Sequence, residues 1–390
     1  MFDGLFDFQS RLDKIDRNGD PLVALNNAVD WELFRPELEA TRERVRKSTA
    51  GRKPYDAVLM FKTLVLQSLF NLSDAGTERQ ILDRLSFHRF LGLSFGQPVP
   101  DANTIWLFRE ALNAGDKART LFDRFNAILK EKGYEAKKGQ IIDASIVEVP
   151  VQRNTREEND LIKKGEAEKV RAGWKPAKAA QKDTDARWTQ KNGQNHYGYK
   201  HHDNVDAGHK LIREYSVTPA NVHDSREFAG LLAAKPDTGT LAAVAPTAEA
   251  VPAEMVNTET GAPVLEVNAV ASAAGVQVVE KPAEPDMADV YADSAYRSVE
   301  HETLLFALGL RSHVMMKGSR HRKLAESERA ANHLNSKVRV RVEHVFGAMR
   351  QRMGVTVLRT IGLLRAKTKL GLRALAYNID RFAFLTRDTV

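Results

Sequence analysis

The sequence predicts an α/β protein in which a mixed-sheet domain follows an all-helical one. Three observations carry this prediction. Apolar residues recur at helical spacing from Tyr55 to Lys132. The period then changes to that of a strand at "KGQIIDASIVEVP", residues 138–150. Beyond it, strands and helices interleave around an antiparallel hairpin, the pattern of a mixed sheet.

Residues 1–54 read as an irregular N-terminal arm, with one helix around Trp31 to Arg46. "PYDAVLMFKTLVLQSLFNL" is apolar almost all round and predicts a helix buried among others. Ser73 or Asp74 can cap the next helix, "AGTERQILDRLSFHRFLGL", which ends near Gly92. Asn103 or Thr104 caps "PDANTIWLFREAL", and "DKARTLFDRFNAILKEKG" closes at Gly133. These helices make up a domain over 55–135.

The α/β domain spans 138–360. Its first strand holds Ile141, Ile142, Ile146, Val147 and Val149. "NHYGYKHHDNVDAGHKLIREYSVTPANVHD" reads as a hairpin turning around Asn204, Asp206 and Gly208. A short helix capped by Ser225, the strand "DVYADSAYRS", the helix "SVEHETLLFALG" and the strand "LRSHVMMK" follow. In "SKVRVRVEHVFGAMRQRMG" the piece "VRVRV" alternates like a strand. Val338, Val342, Val345, Met349 and Met353 nevertheless form a stripe too long for one, so a helix is predicted. Arg339, Glu343, Phe346 and Arg350 share another face of it. Residues 361–390 form a C-terminal helical tail.

Two stretches interrupt the domain. Residues 153–190 are charged, poor in apolar periodicity and predicted to be a basic loop. Residues 233–287 are rich in Ala, Val, Pro, Glu and Thr, hold no aromatic residue and predict a mobile insertion. From Pro236 to Met287 there are eight acids against Lys281 alone, a net −7 in a chain of net +7. The rest therefore carries +14 and favours a polyanionic partner. No apolar run is long enough to span a membrane, "MFDGLFDFQSRLDK" lacks the order of a signal peptide, and the absence of cysteine excludes disulfides and thiolate metal sites.

An aspartate in the middle of an apolar strand needs explaining. Asp143 either marks a strand end and accepts from backbone amides, or faces a cation. Asp293 repeats the situation in a second strand, and Glu343 sits among arginines on a helix. Were the three to converge, their mutual repulsion would call for divalent cations. Hard oxygen donors select Mg²⁺ or Mn²⁺, and two such ions about 4 Å apart suit phosphodiester chemistry.

"IIDASIV", "VYADSAYRS" and "RVRVEHVFGAMRQRMG" resemble the three signature segments of the DDE transposases of bacterial insertion sequences, most of all the insertion-sequence-five group. The helical stretch from Tyr55 and the segments "HYGYKHHDNVD" and "VTPANVHDS" resemble that group as well, so the likeness runs from Tyr55 to Met353 apart from the two interruptions. The resemblance implies a ribonuclease H-like catalytic domain in which Asp143, Asp293 and Glu343 are catalytic and ligate two Mg²⁺ ions, with Mn²⁺ as a substitute. Family members carry Tyr-x2-Arg-x3-Glu-x6-Lys around the glutamate. Here Arg339 and Glu343 match, Ser336 stands for the tyrosine and Arg350 for the lysine, keeping the charge as a planar fork. Arg339, Arg350, Tyr296, Arg297 and Lys200 are the implied DNA contacts.

The resemblance further implies cleavage at element ends and strand transfer into target DNA, terminal inverted repeats as partner of the helical domain, and a homodimer or larger assembly on DNA in the cytoplasm at the nucleoid, without a membrane. The alternatives are a silent, transposase-derived repressor and a stand-alone nuclease. The histidine-rich run "KHHDNVDAGHK" (His201, His202, Asp203, Asp206, His209) reads as solvated or DNA-facing hairpin rather than a metal site, because His201 and His202 project to opposite faces. His344 points to a different helix face from Glu343. Lys163, Lys164, Lys169, Arg171, Lys175, Lys178 and Lys182, with Trp174 and Trp188 interleaved, form either a DNA-tracking surface or a solvated face, and "GSRHRK" adds Arg320, Arg322 and Lys323.

Overall fold

The computed structural model describes residues 5–41, 53–94, 96–135, 138–232, 288–354 and 357–387. The acidic insertion, 233–287, lies outside the described residues.

Before the first strand the chain forms α1 (Leu5–Arg17), α2 (Pro21–Ala28), a 3₁₀ turn (Trp31–Phe34), α3 (Arg35–Glu39), α4 (Ala57–Leu69), α5 (Asp74–Asp83), α6 (Leu85–Leu91), α7 (Ala102–Asn113) and α8 (Lys117–Glu131). The arm expected to be irregular is therefore mostly helical between Leu5 and Glu39. Asp20 starts α2 by accepting from Leu22 N at 2.9 Å, with Pro21 in the first turn, where its missing N–H costs nothing. The arm's Leu22, Leu25, Trp31, Phe34 and Leu38 are core residues. Ser73 caps α5 through Gly76 N at 3.0 Å. The single helix expected after it breaks at Arg84, whose extended backbone (φ −101°, ψ 116°) separates α5 from α6. Asp101, rather than Asn103 or Thr104, caps α7 by accepting from Thr104 N at 2.7 Å.

Six strands follow: β1 (Gln140–Glu148), β2 (Arg187–Lys191), β3 (Gln194–Asp206), β4 (Ile212–Pro219), β5 (Asp289–Ala292) and β6 (Arg311–Val314). The sheet order is β2-β3-β1-β5-β6, with β4 also on β3. β1 is antiparallel to β3 and parallel to β5, and β5 is parallel to β6, so the sheet is mixed. The remaining helices are α9 (Arg156–Lys163), α10 (Ala167–Ala172), α11 (Pro176–Ala179), α12 (Phe228–Leu231), α13 (Val299–Ala307), α14 (Glu326–Arg352) and α15 (Leu363–Leu385). The short turn before α12 is capped by His223, whose side chain accepts from Ser225 N, rather than by Ser225. Among the described residues no helix is long and apolar enough to cross a membrane.

The span 153–190, expected to be a loop, is instead α9, α10, α11 and β2. Three apolar side chains, Ile162, Val170 and Trp174, suffice for a small core of its own, and Trp174 Nε1 donates to Glu158 Oε1 at 2.6 Å. β2 reaches β3 through Asn192 and Gly193, both at positive φ (52° and 76°), the geometry a two-residue hairpin requires.

The helical part closes no separate core. One continuous cluster takes Phe61, Phe87 and Phe125 from the early helices, Ile141, Val205 and Tyr215 from one sheet face, Val342 and Val345 from α14, and Leu375 and Ile379 from α15. Phe34 lies 5.0 Å from Phe61 and 6.3 Å from Phe125, centroid to centroid; a buried side chain of this kind stabilises by about 1.5–3 kcal/mol. α15 is tied to β4 by Asn378, which accepts from Ile212 N at 2.8 Å and donates to Ile212 O at 2.7 Å. The other sheet face packs Ile142, Val290 and Ala292 on Phe228, Tyr296 and Leu305.

α4 buries one cation. Lys62 Nζ donates to Asn26 Oδ1 at 2.8 Å and lies 4.7 Å from the Phe90 ring. Burial pushes it down from 10.5 to about 8. Below about pH 8 both folded and unfolded chains hold this proton; between about 8 and 10.5 only the unfolded chain does, so stability rises with pH. Tm of the wild type relative to Lys62→Met is expected to climb through that window. A difference independent of pH would contradict the buried charge.

Candidate active site

β1 and β5 run parallel with Ile142 beside Ala292. The next residues along the two strands, Asp143 and Asp293, therefore fall side by side at the carboxyl end of β5. Asp293 starts a 3₁₀ turn (Ser294–Tyr296), its Oδ1 accepting from Ala295 N at 2.8 Å. Asp143 shares the sheet face of Ile141, the face covered by α14. Its Oδ1 accepts from Ala144 N at 2.8 Å, and its Oδ2 from Arg339 Nη2 at 2.8 Å. The pair is mostly buried, with 13% of the Asp143 side chain exposed.

Burial pushes the Asp143 carboxyl up, Arg339 opposes that shift, and the neighbouring Asp293 adds to it. Arg339 is held in place by α14, and its Nη1 lies 3.3 Å from Met315 Sδ. Glu343 stands one turn further along α14 and is exposed. Arg350 is exposed two turns beyond that. Ser336, where the family pattern has tyrosine, turns its hydroxyl back to His333 O at 2.8 Å.

The structure thus brings Asp143, Asp293 and Arg339 together and leaves Glu343 at the surface of the same helix. Among the described residues, no group of three or more His, Asp or Glu side chains is gathered to hold a metal ion. The donor set is nonetheless of the right chemistry. Two carboxylates lie adjacent where a positive charge is needed, and a guanidinium stands in for that charge on Asp143.

The other proposed contacts sit deeper than a surface role suggests. Tyr296 is 1% exposed, its hydroxyl unpartnered, and burial beside Asp143, Asp224 and Asp293 pushes the phenol up. Arg297 donates to Val314 O at 2.9 Å. Lys200 donates to Val222 O at 2.7 Å and lies 2.8 Å from Asp224.

From His201 to Asp206 the histidine-rich run is buried rather than solvated, while His209 is half-buried. His202 is 0% exposed, its Nε2 lies 2.9 Å from Thr218 Oγ1, and burial pushes it down to about 4, so it is neutral. The His201 ring lies 5.7 Å from that of Tyr215, tilted by 51°, toward the opposite face. Asp203 pairs directly across from Asp143, is 0% exposed and lies 3.1 Å from His201 Nδ1, with neither carboxylate oxygen hydrogen-bonded. The strand's alternation puts Asp203 on the face of Asp143, a relation visible only once β1 and β3 are paired. His344 faces Lys210, 3.1 Å away. Of the lysines in 153–190, Lys178 lies 2.7 Å from Glu158, and Lys182 donates to Asn154 Oδ1 at 2.9 Å.

Residues 135–244 and 256–379 match the family model described as Transposase DDE domain, and residues 9–111 match that described as Transposase domain (DUF772). No solved structure matches the chain.

Proposed function

This chain belongs to the Transposase DDE domain family, and from that premise we propose that it cuts DNA at the ends of an insertion sequence and joins those ends to target DNA. The observation that carries the proposal is the β1–β5 register, which sets Asp143 beside Asp293 while α14 brings Arg339 onto Asp143 and carries Glu343 one turn away. The sheet order β4-β3-β1-β5-β6, antiparallel on one side of β1 and parallel on the other, supports a ribonuclease H-like reading. The three signature segments support placement in the insertion-sequence-five group.

Asp143, Asp293 and Glu343 would hold the divalent ions, Mg²⁺ with Mn²⁺ as substitute, which supply activation of the attacking oxygen and stabilisation of the leaving oxygen. The chain's own residues do the rest. The paired strands fix the two aspartates in the face of their repulsion, and Arg339 supplies the compensating positive charge. Glu343, four residues beyond Arg339 on the same face of α14, would complete the set. Arg350, exposed on that helix, is placed to hold a phosphate as a planar fork. Water attacks the phosphodiester at the element end and breaks its P–O3′ bond, leaving a 5′-phosphate and a free 3′-OH; that hydroxyl then attacks a target phosphodiester in line, and the target's own 3′-oxygen leaves as its new 3′-OH.

In this reading the helices of 55–135 engage the terminal inverted repeats, two copies or more assemble on the DNA, and the protein works in the cytoplasm at the nucleoid. The Arg339–Asp143 pair favours a second reading, a silent DNA-binding repressor, if it persists on DNA. Incubation with labelled end DNA and Mg²⁺ separates the two. Metal-dependent nicking followed by strand transfer is expected; binding without cleavage would favour the repressor, and cleavage without joining a nuclease.

A further inference from the structure

Where α15 meets the early helices, the charges do not balance. Arg109 of α7 is answered twice by Asp74, at 2.6 and 2.8 Å, and by Gln67 Oε1 at 2.9 Å. Gln67 Nε2 in turn donates to Asp74 at 2.8 Å, so that carboxylate is fully engaged. Facing this group from α15 are Lys369 and, one turn on, Arg373. Arg373 is 2% exposed. Its Nη2 donates to Asn71 Oδ1 at 3.0 Å, but its Nη1 is buried with no partner. Among the described residues no carboxylate pairs with either Lys369 or Arg373.

Between these side chains lies a cavity of about 10 Å³, lined by Gln67, Asn71, Arg109, Lys369 and Arg373. It admits one water-sized particle. Burial pushes Arg373 down to about 10; burial and repulsion from Arg373 and Arg109, which attraction to Asp74 only partly offsets, push Lys369 down to about 8. At neutral pH the guanidinium therefore still carries its charge in the interior. A buried cation with an unused N–H is destabilising unless a negative charge meets it, and a water molecule brings none.

We propose that this cavity, widened by a small outward shift of the long and only half-buried Lys369 side chain, binds one small inorganic anion of about chloride size, held by Arg373 Nη1 and Lys369. Its position gives it a structural role: Arg109 and Asn71 belong to one matched segment and Arg373 to the other, so the ion pins the early helices to α15. This site is independent of the DNA chemistry above. A DNA backbone phosphate is too large to be its occupant.

The test is a halide titration of the full chain at constant ionic strength, with gluconate as the balancing anion. Chloride and bromide are expected to raise Tm saturably by about 2–5 °C, and crystals soaked in bromide should show one anomalous peak within reach of Arg373 Nη1. Arg373→Met should abolish the halide response. Lys369→Met, less buried and safer for folding, should weaken half-saturation at least about fivefold. A Tm that follows ionic strength whatever the anion, an unaltered response in either variant, no bromide peak, or stabilisation by duplex DNA but not by halide would overturn the proposal.

Discussion

Asp143→Asn is expected to lower cleavage of element-end DNA by about 10³-fold or more, with DNA affinity changed by less than about threefold. The substitution keeps the shape of the side chain and the Oδ1 bond from Ala144 N. It removes the one formal negative charge that both Arg339 and a divalent ion would use. The neighbouring Asp293 loses a repelling partner, so fold stability should not fall with the rate. Asp293→Asn and Glu343→Gln are expected to behave alike. Wild-type cleavage in any of the three would remove that residue from the catalytic set, and an equal fall in binding and cleavage would point to a structural effect instead.

The largest expected effect on stability belongs to a residue in the charged stretch before β2. Asp183 is 2% exposed and accepts from Tyr199 Oη at 2.7 and 2.9 Å, from Asp185 N at 2.9 Å, from Ala186 N at 3.0 Å and from Gly362 N at 3.1 Å. One carboxylate thereby joins the chain entering β2, the central strand β3 and the start of α15. Asp183→Ala would strand these donors in the interior at a cost of about 3–5 kcal/mol. Urea unfolding measures it. A loss below about 1 kcal/mol would show that water reaches those donors and that the network is less closed than its burial implies.

Much of this was legible in the sequence, for definable reasons. Asp143 announces itself because it interrupts an apolar strand, where a carboxylate is costly, and Asp293 because it directly follows one, starting a 3₁₀ turn rather than lying inside the strand as the sequence suggests. The stripe from Val338 to Met353 marks α14 because it outlasts any strand. The mixed sheet follows from strands alternating with helices.

What stayed hidden depends on contacts between distant parts of the chain. Asp183 looked like one more charge among lysines, since nothing local shows that Tyr199 and Gly362 converge on it. Trp31 and Phe34 read as part of an arm because their partners, Phe61, Phe90 and Phe125, lie far along the chain. The three short helices of 156–179 carry only Ile162, Val170 and Trp174 as core, too few for a periodic signal. Arg339 reads as a phosphate contact from the sequence; that it closes on Asp143 depends on how α14 crosses β1.

The central claim is that Asp143, Asp293 and Glu343 jointly hold divalent ions. The most direct measurement is anomalous diffraction from crystals of the protein bound to its element-end DNA and soaked in Mn²⁺. Manganese ligated by carboxylate oxygens of all three residues, with Arg339 released from Asp143, is the expected result. Manganese bound elsewhere, or none at all with the Arg339–Asp143 pair intact on DNA, would contradict it.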